Sequence, residues 1–207
     1  MSSPIPLIPV EKTARTHAIL ISIGFLIFLP LGVLTARYLR TFTNRWWFAH
    51  WMINFAISAP LIFAGWAMGH KAVNEGFKPG HFNDTHKRMG LAIMILYLVQ
   101  FTLGGFIHFV RMPGMFVGHR PPQNYFHAVL GLVILVLAAV QIHYGMYTEW
   151  SQATRNQHPV PSSAKHAWLA LIVIFWVLYG LGLGFLLRQY RQEKDGRLLR
   201  QDTKEKE

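Results

Sequence analysis

The chain has 207 residues, of which 52% are hydrophobic and only 14% charged, with a net charge of +11 and a mean hydropathy of +0.27. A soluble domain carries about 25% charged residues, so this balance argues against a soluble enzyme, a disordered chain or a coiled coil. The absence of cysteine excludes disulfides, iron–sulfur clusters, zinc fingers and thioether-linked haem. It leaves eleven histidines and eight methionines as candidate ligands for a metal or a haem iron.

The 20 basic and nine acidic residues all fall outside five windows, taken here in chain order. Thr16 to Ala36 is a charge-free run of 21 residues, Trp46 to His70 of 25, Met89 to Val110 of 22, Pro121 to Thr148 of 28 and His166 to Leu187 of 22. A helix needs about 20 apolar residues to cross roughly 30 Å of hydrocarbon, and inside lipid the backbone must satisfy its own hydrogen bonds. The windows therefore predict an all-α polytopic membrane bundle with five transmembrane helices, over about 17–37, 46–69, 87–110, 124–147 and 166–188. Pro30, Pro60 and several glycines lie within them, which membrane helices tolerate. The first window is too long for the h-region of a signal peptide and has no small-residue cleavage site after it. The expected organisation is an N-terminal tail over 1–16, a transmembrane domain over 17–188 and a basic, mixed-charge tail over 189–207.

With the N-terminus on a side designated A, five spans place the C-terminus on side B. Side B then receives twelve basic residues, among them Arg37, Arg40, Arg45, Arg111 and Arg120, and side A receives eight. The short side-B loops contain no acid. The positive-inside rule makes side B cytoplasmic, so the expected protein is an integral multi-pass one with a non-cytoplasmic N-terminus and a cytoplasmic C-terminus. The lipid bilayer is its first partner. The tail from Arg188 to Lys206 reads as a solvated helix end or a contact for anionic lipid. Nucleic acid is not an expected partner, because no basic face accompanies a recognition motif. A homo-oligomer stays open.

Histidine inside a span is costly and calls for a reason. His17, His50, His86 and His127 stand near the starts of the first four spans. Successive spans run in opposite directions, so His17 and His86 lie near side A while His50 and His127 lie near side B. Two imidazoles at each face, from two helices running the same way, suit two low-spin haems clamped in a four-helix core. The third and fourth spans share H-x-x-x-G, as His86 to Gly90 and His127 to Gly131, with Gln100 and Gln141 ten residues after each glycine. On a helix these three positions fall near one face, and the glycine leaves room for a flat macrocycle. A zinc or copper site would need three or four ligands at one depth, whereas these histidines divide between two. A proton relay would recruit Asp or Glu within the spans, and none occurs there. His108 approaches side B on nearly the same helix face as His86 and competes with His127 for that site.

At these residues the sequence resembles the cytochrome b561 family, in the five-span form found in DOMON-associated proteins. The resemblance runs from about His17 to Trp150. It rests on His17 leading to Leu29-Pro30-Leu31-Gly32 and Ala36-Arg37-Tyr38, on Trp47-Phe48-Ala49-His50, on His86 with Gly90 and Gln100, and on Asn124-Tyr125-Phe126-His127 with Gly131. It implies two non-covalent haem b groups whose iron is held axially by His17 with His86 and by His50 with His127. It further implies transmembrane electron transfer from a cytoplasmic reductant, such as the small anion ascorbate, to ferric iron (as a chelate), monodehydroascorbate or an extracellular redox protein. As an enzyme, such a protein would be a ferric-reductase-like oxidoreductase. Arg15, Lys87 and Arg88 on side A, and Arg37, Arg40, Arg45 and Arg120 on side B, are candidates for charge-assisted bonds to haem propionates. The side-B arginines are also candidates for contacts with an anionic reductant. No DOMON-like stretch precedes the first span, and no sixth span is visible. The alternative from another class is a non-redox membrane transporter or membrane scaffold, for which broken helices at midplane would speak.

Overall fold

The computed structural model describes residues 6–109 and 121–204. Five long apolar helices run through them, Pro9–Leu39, Trp46–Asn74, Thr85–Phe109, Pro122–Ala153 and Ser162–Gly196, and no strand occurs among the described residues. Each is long enough to cross a bilayer, and several extend past the charge-free windows. The first begins at Pro9 because proline at the first helical position loses no hydrogen bond and the Glu11 carboxylate accepts the Ile8 N–H at 3.0 Å. Half of the expected N-terminal tail is thus the first two turns of the first span. The expected C-terminal tail continues the fifth span as helix to Lys204. Arg111, His119 and Arg120 lie outside the described residues.

Two of the spans widen at their prolines. Gly24–Phe28 and Met52–Ser58 are π-helical, and Pro30 and Pro60 follow within the next turn. Proline has no N–H to give, and the residue ahead of each reaches one position further back, Leu29 to the Gly24 carbonyl and Ala59 to that of Asn54. The two widened segments touch, and the Ser58 hydroxyl donates to the Gly24 carbonyl at 3.2 Å. A third π segment, Gly145–Glu149, lies near the side-A end of the fourth span. The helices stay continuous through all three, so these are not the unwound half-helices of a midplane transport site.

The core belongs to four spans. Its buried cluster is built from Phe25 and Leu26 of the first, Ala59 and Ile62 of the second, Ile93, Met94 and Tyr97 of the third, and Leu130, Ile134, Ala138, Ala139 and Ile142 of the fourth. The first and second spans pack along their length, as do the third and fourth. The fifth packs on the outside, adding only partly buried Trp168, Leu171 and Ile172 to that cluster. It leaves Leu169, Val173, Ile174, Val177 and Leu181 exposed, a face fit for lipid. At side B it is tied to the first span by polar contacts. Arg37 donates to the Tyr179 hydroxyl at 2.8 Å with its guanidinium over that ring, Tyr38 donates to the Leu178 carbonyl at 2.6 Å, and Arg40 pairs with Glu193. Gln189 donates to the Arg37 carbonyl and the Thr41 hydroxyl, both at 2.7 Å, which satisfies a carbonyl left over at a helix end.

Candidate functional site

The four histidines meet in two pairs. The His17 and His86 rings have centroids 6.4 Å apart and planes 83° apart, and the His50 and His127 rings 6.4 Å and 79°. An imidazole nitrogen binds a first-row metal at about 2.0–2.1 Å, and the ring centroid lies roughly 1.1 Å behind it, so one ion held axially by two rings needs centroids about 6.3 Å apart. Both pairs meet that spacing. Among the described residues no group of three or more His, Cys, Asp or Glu converges as a metal site. Two imidazoles at that spacing could hold an iron whose remaining ligands a macrocycle would supply.

Backbone carbonyls set the ring orientation in the first two spans. His17 Nδ1–H donates to the Gly65 carbonyl at 2.7 Å, and His50 Nδ1–H to the Gly32 carbonyl at 2.8 Å. Metal-ligating histidine commonly gives its second ring N–H to such an acceptor, which fixes the tautomer and frees Nε2 for the metal. The two bonds are reciprocal. Each histidine lies 15 residues before the glycine that receives the other's proton, and both glycines allow close approach. A Cβ on Gly65 would stand 2.9 Å from the Ile21 side chain, and one on Gly32 2.3 Å from the Asn54 amide.

The third and fourth spans form a second reciprocal arrangement. Gln141 donates to the His86 carbonyl at 2.6 Å, with its amide nitrogen 3.0 Å from His86 Nδ1. Gln100 donates to the His127 carbonyl at 2.8 Å and lies 3.5 Å from His127 Nε2. Histidine and glutamine do share a face, as the spacing predicts, but each glutamine serves the histidine of the neighbouring antiparallel span. Gly131 makes room for its amide, because a Cβ would come to 2.9 Å from Gln100, whereas one on Gly90 would meet Gln141 at an ordinary 3.4 Å. Two glycines not singled out in the sequence complete the arrangement. Gly145 lies beside the His86 ring and Gly104 beside the His127 ring, with Cβ positions 3.1 and 3.0 Å from Cε1. Their signal is a longer repeat, since Gly104 and Gly145 each follow their own span's histidine by 18 residues.

The side-A pair opens into a cavity of about 710 Å³ whose lining includes His17, His86, Gly90, Gln141, Arg15 and Lys87, and otherwise mostly apolar residues. A loop with a compact polar core closes over it. Lys78 and Phe82 there take positive φ, as do Gly76 and Gly80. Lys87 Nζ donates to the carbonyls of Lys78 (2.5 Å) and Gly80 (2.8 Å) and to Asn83 Oδ1 (3.1 Å), and pairs with Asp84 at 2.9 Å. Arg88 Nε donates to the Phe82 carbonyl at 3.0 Å. Lys78 pairs with buried Glu149 at 2.7 Å. Partial burial works to raise the Asp84 carboxyl, but the Lys87 backbone N–H and ammonium, with Lys78, hold it below the usual carboxylate range. Lys87 and Arg88 thus brace the loop, and Arg15 is the exposed cation at the cavity rim.

Among the other described histidines, His70, His81 and His158 line the same side-A cavity as His17 and His86. His108 packs against Trp47 with centroids 4.6 Å apart. His70 stacks between Trp66 (4.3 Å) and His81 (4.9 Å), His143 stacks on Tyr147 (4.3 Å), and His158 faces Glu11 at 3.5 Å. On side B, Arg37 and Arg40 are committed to the fifth span as described, and Arg45 is exposed.

Comparison with known proteins agrees with this arrangement. The family model for eukaryotic cytochrome b561 matches residues 16–152. Two Arabidopsis thaliana cytochrome b561 and DOMON domain-containing proteins are 31% identical over 135 residues and 34% identical over 139 residues, each match covering 65% of this chain. A third such protein is 21% identical over 151 residues. The matches cover 31%, 32% and 38% of those relatives, so the chain spans about a third of the length of the curated proteins it matches. No solved structure matches it.

Proposed function

The chain belongs to the cytochrome b561 family, and from that premise we propose that it is a five-span, dihaem cytochrome that passes electrons from a cytoplasmic reductant at side B to an acceptor at side A. The family assignment carries the coarser part, a multi-pass membrane protein that binds haem b and transfers electrons across the membrane. The observation that supports two haems is the recurrence of the same imidazole pair at both ends of the bundle, with 6.4 Å between centroids each time.

Bound haem supplies reversible one-electron chemistry at iron. The chain's own part is to hold, space and insulate. His17 with His86 and His50 with His127 would hold the haem irons, the first-span and second-span rings each being held in its tautomer by a glycine carbonyl. His17 and Gly32, the residue His50 reaches, are 15 residues apart, which is about 22 Å of helix rise. Between the pairs lies the apolar cluster around Phe25, Ile62, Tyr97 and Ile134. A low-dielectric filling of this kind excludes water and disfavours charge.

Arg15 at the side-A rim and Arg45 and Arg120 at side B are the proposed partners for propionates, and Arg45 and Arg120 also for an anionic reductant of the ascorbate class. Acceptors of matching chemistry on side A are a ferric chelate, monodehydroascorbate or a redox protein. The orientation rests on the positive charge of side B. The test uses oriented proteoliposomes of haem-loaded protein with ascorbate on one side and a ferric chelate on the other. The proposal expects chelate reduction when ascorbate faces side B, and faster reduction than in the reverse arrangement. Equal rates in both arrangements would overturn the direction, and no transfer in either would overturn electron transfer across the bundle.

A further inference from the structure

The two halves of the core repeat one another, and one polar break in the repeat lies against a histidine. Advancing 33 residues carries His17 onto His50, Gly32 onto Gly65 and Ile21 onto Asn54. The contacts follow the same rule. Gly65 packs on Ile21 beside the His17 bond, and Gly32 packs on Asn54 beside the His50 bond. An apolar side chain on side A is therefore replaced on side B by an amide. Asn54 Nδ2 donates to the His50 carbonyl at 2.8 Å and lies 3.2 Å from His50 Nδ1. The carbonyl accepts, so the edge of the amide facing the ring is its nitrogen, the positive end of the dipole. Asn54 Oδ1 is buried and has no hydrogen-bond partner among the described residues. The Oε1 atoms of Gln100 and Gln141, whose amides lie against His127 and His86, are buried without a partner in the same way.

We propose that Asn54 is a positioning residue that raises the reduction potential of the side-B haem. This rests on the dihaem reading above. The bond from His50 Nδ1–H to the Gly32 carbonyl makes the imidazole more electron-rich and favours the oxidised, more positive iron. The bond from His17 to the Gly65 carbonyl does the same on side A. The positive end of the Asn54 amide sits against His50 Nδ1 and opposes that effect, as the Gln141 amide nitrogen does 3.0 Å from His86 Nδ1 on side A. It favours the form with one positive charge fewer, the reduced iron. In a low-dielectric interior such a fixed dipole acts with little screening.

The test is potentiometric titration of the purified, haem-loaded protein, with the two haems resolved in the optical and low-spin ferric EPR spectra. Variants that lack His50 or His17 assign each spectrum to a side. Asn54→Leu keeps the volume and removes the dipole. It is expected to make the side-B haem about tenfold harder to reduce, which is about 59 mV for a one-electron couple, and to leave the side-A haem unchanged. The reciprocal Ile21→Asn places an amide beside His17 and is expected to ease reduction of the side-A haem. It also decides the matter if Asn54→Leu fails to retain its haem. Unchanged potentials in haem-replete Asn54→Leu, or an equal shift of both haems, would overturn the proposal, as would an unmoved side-A haem in Ile21→Asn if Asn54→Leu cannot be read. Wild-type protein that binds fewer than two haems would instead overturn the dihaem reading.

Discussion

Gly69 gives the sharpest test of how closely the side-A pair is held. Its missing Cβ would stand 2.8 Å from Nδ1 and 3.0 Å from Cε1 of His17. The same Nδ1 is committed to the Gly65 carbonyl at 2.7 Å, so the ring is caught between two turns of the second span. Ordinary contact begins near 3.4 Å, and Gly69→Ala must displace the ring by roughly 0.6 Å or tilt it. Either movement lengthens the Nδ1–Gly65 bond and turns Nε2 off the axis shared with His86. Loss of an outer contact of this kind costs about 10- to 100-fold in metal affinity. By the usual conversion that is about 1.4–2.7 kcal/mol. The assay is haem transfer from purified protein to excess apomyoglobin, followed separately for the two haems. The side-A haem of Gly69→Ala should leave about 10- to 100-fold more readily, and the side-B haem at the wild-type rate. Gly184→Ala on the fifth span is the control, because a Cβ there meets nothing within 4 Å. Wild-type retention in Gly69→Ala, or equal loss of both haems, would refute the view that this glycine acts by letting the His17 ring in.

Three further outcomes follow from the same geometry. His50→Ala or His127→Ala should remove the side-B haem and spare the side-A haem, His17→Ala or His86→Ala should do the reverse, and His108→Ala should spare both, as read by haem content and EPR. Lys78→Met leaves the buried Glu149 carboxylate without its partner at 2.7 Å; a buried group stripped of its partner costs about 1–3 kcal/mol, which should appear as a lower melting temperature and earlier proteolysis in the 75–84 loop. Arg45→Ala should slow reduction by ascorbate from side B and flatten its dependence on salt, since exposed charge acts through a screened field, while reduction from side A should not change.

The spans were legible because charge is excluded from lipid whatever the packing, so five charge-free windows mark five helices without reference to tertiary structure. Their ends were less so. Pro9 to Arg15 contains both Glu11 and Lys12, yet Pro9 at the first helical position and the Glu11 bond to the Ile8 N–H have already begun the helix. The pairing of the histidines was legible as well, since it follows from the alternating direction of the spans. Which atoms orient them was not. A carbonyl carries no sequence signature, so Gly65 and Gly32 as acceptors for His17 and His50 appear only when the helices are packed. The glutamines show the same limit, because periodicity tells which face Gln100 and Gln141 share with the histidines of their own helices and not which helix lies opposite. The arginines of side B mislead for a related reason. Arg37 and Arg40 obey the positive-inside rule and read as candidates for an anion, yet Tyr179 and Glu193 of the fifth span take them.

The central claim is that each imidazole pair holds one haem. Its most direct measurement is the pyridine haemochrome of purified protein, expressed with ample haem and set against protein mass from amino-acid analysis, together with a reduced-minus-oxidised optical spectrum. Two b-type haems per chain, both low-spin, are expected. One haem per chain would contradict the symmetry of the two pairs, and a colourless protein would contradict the account as a whole.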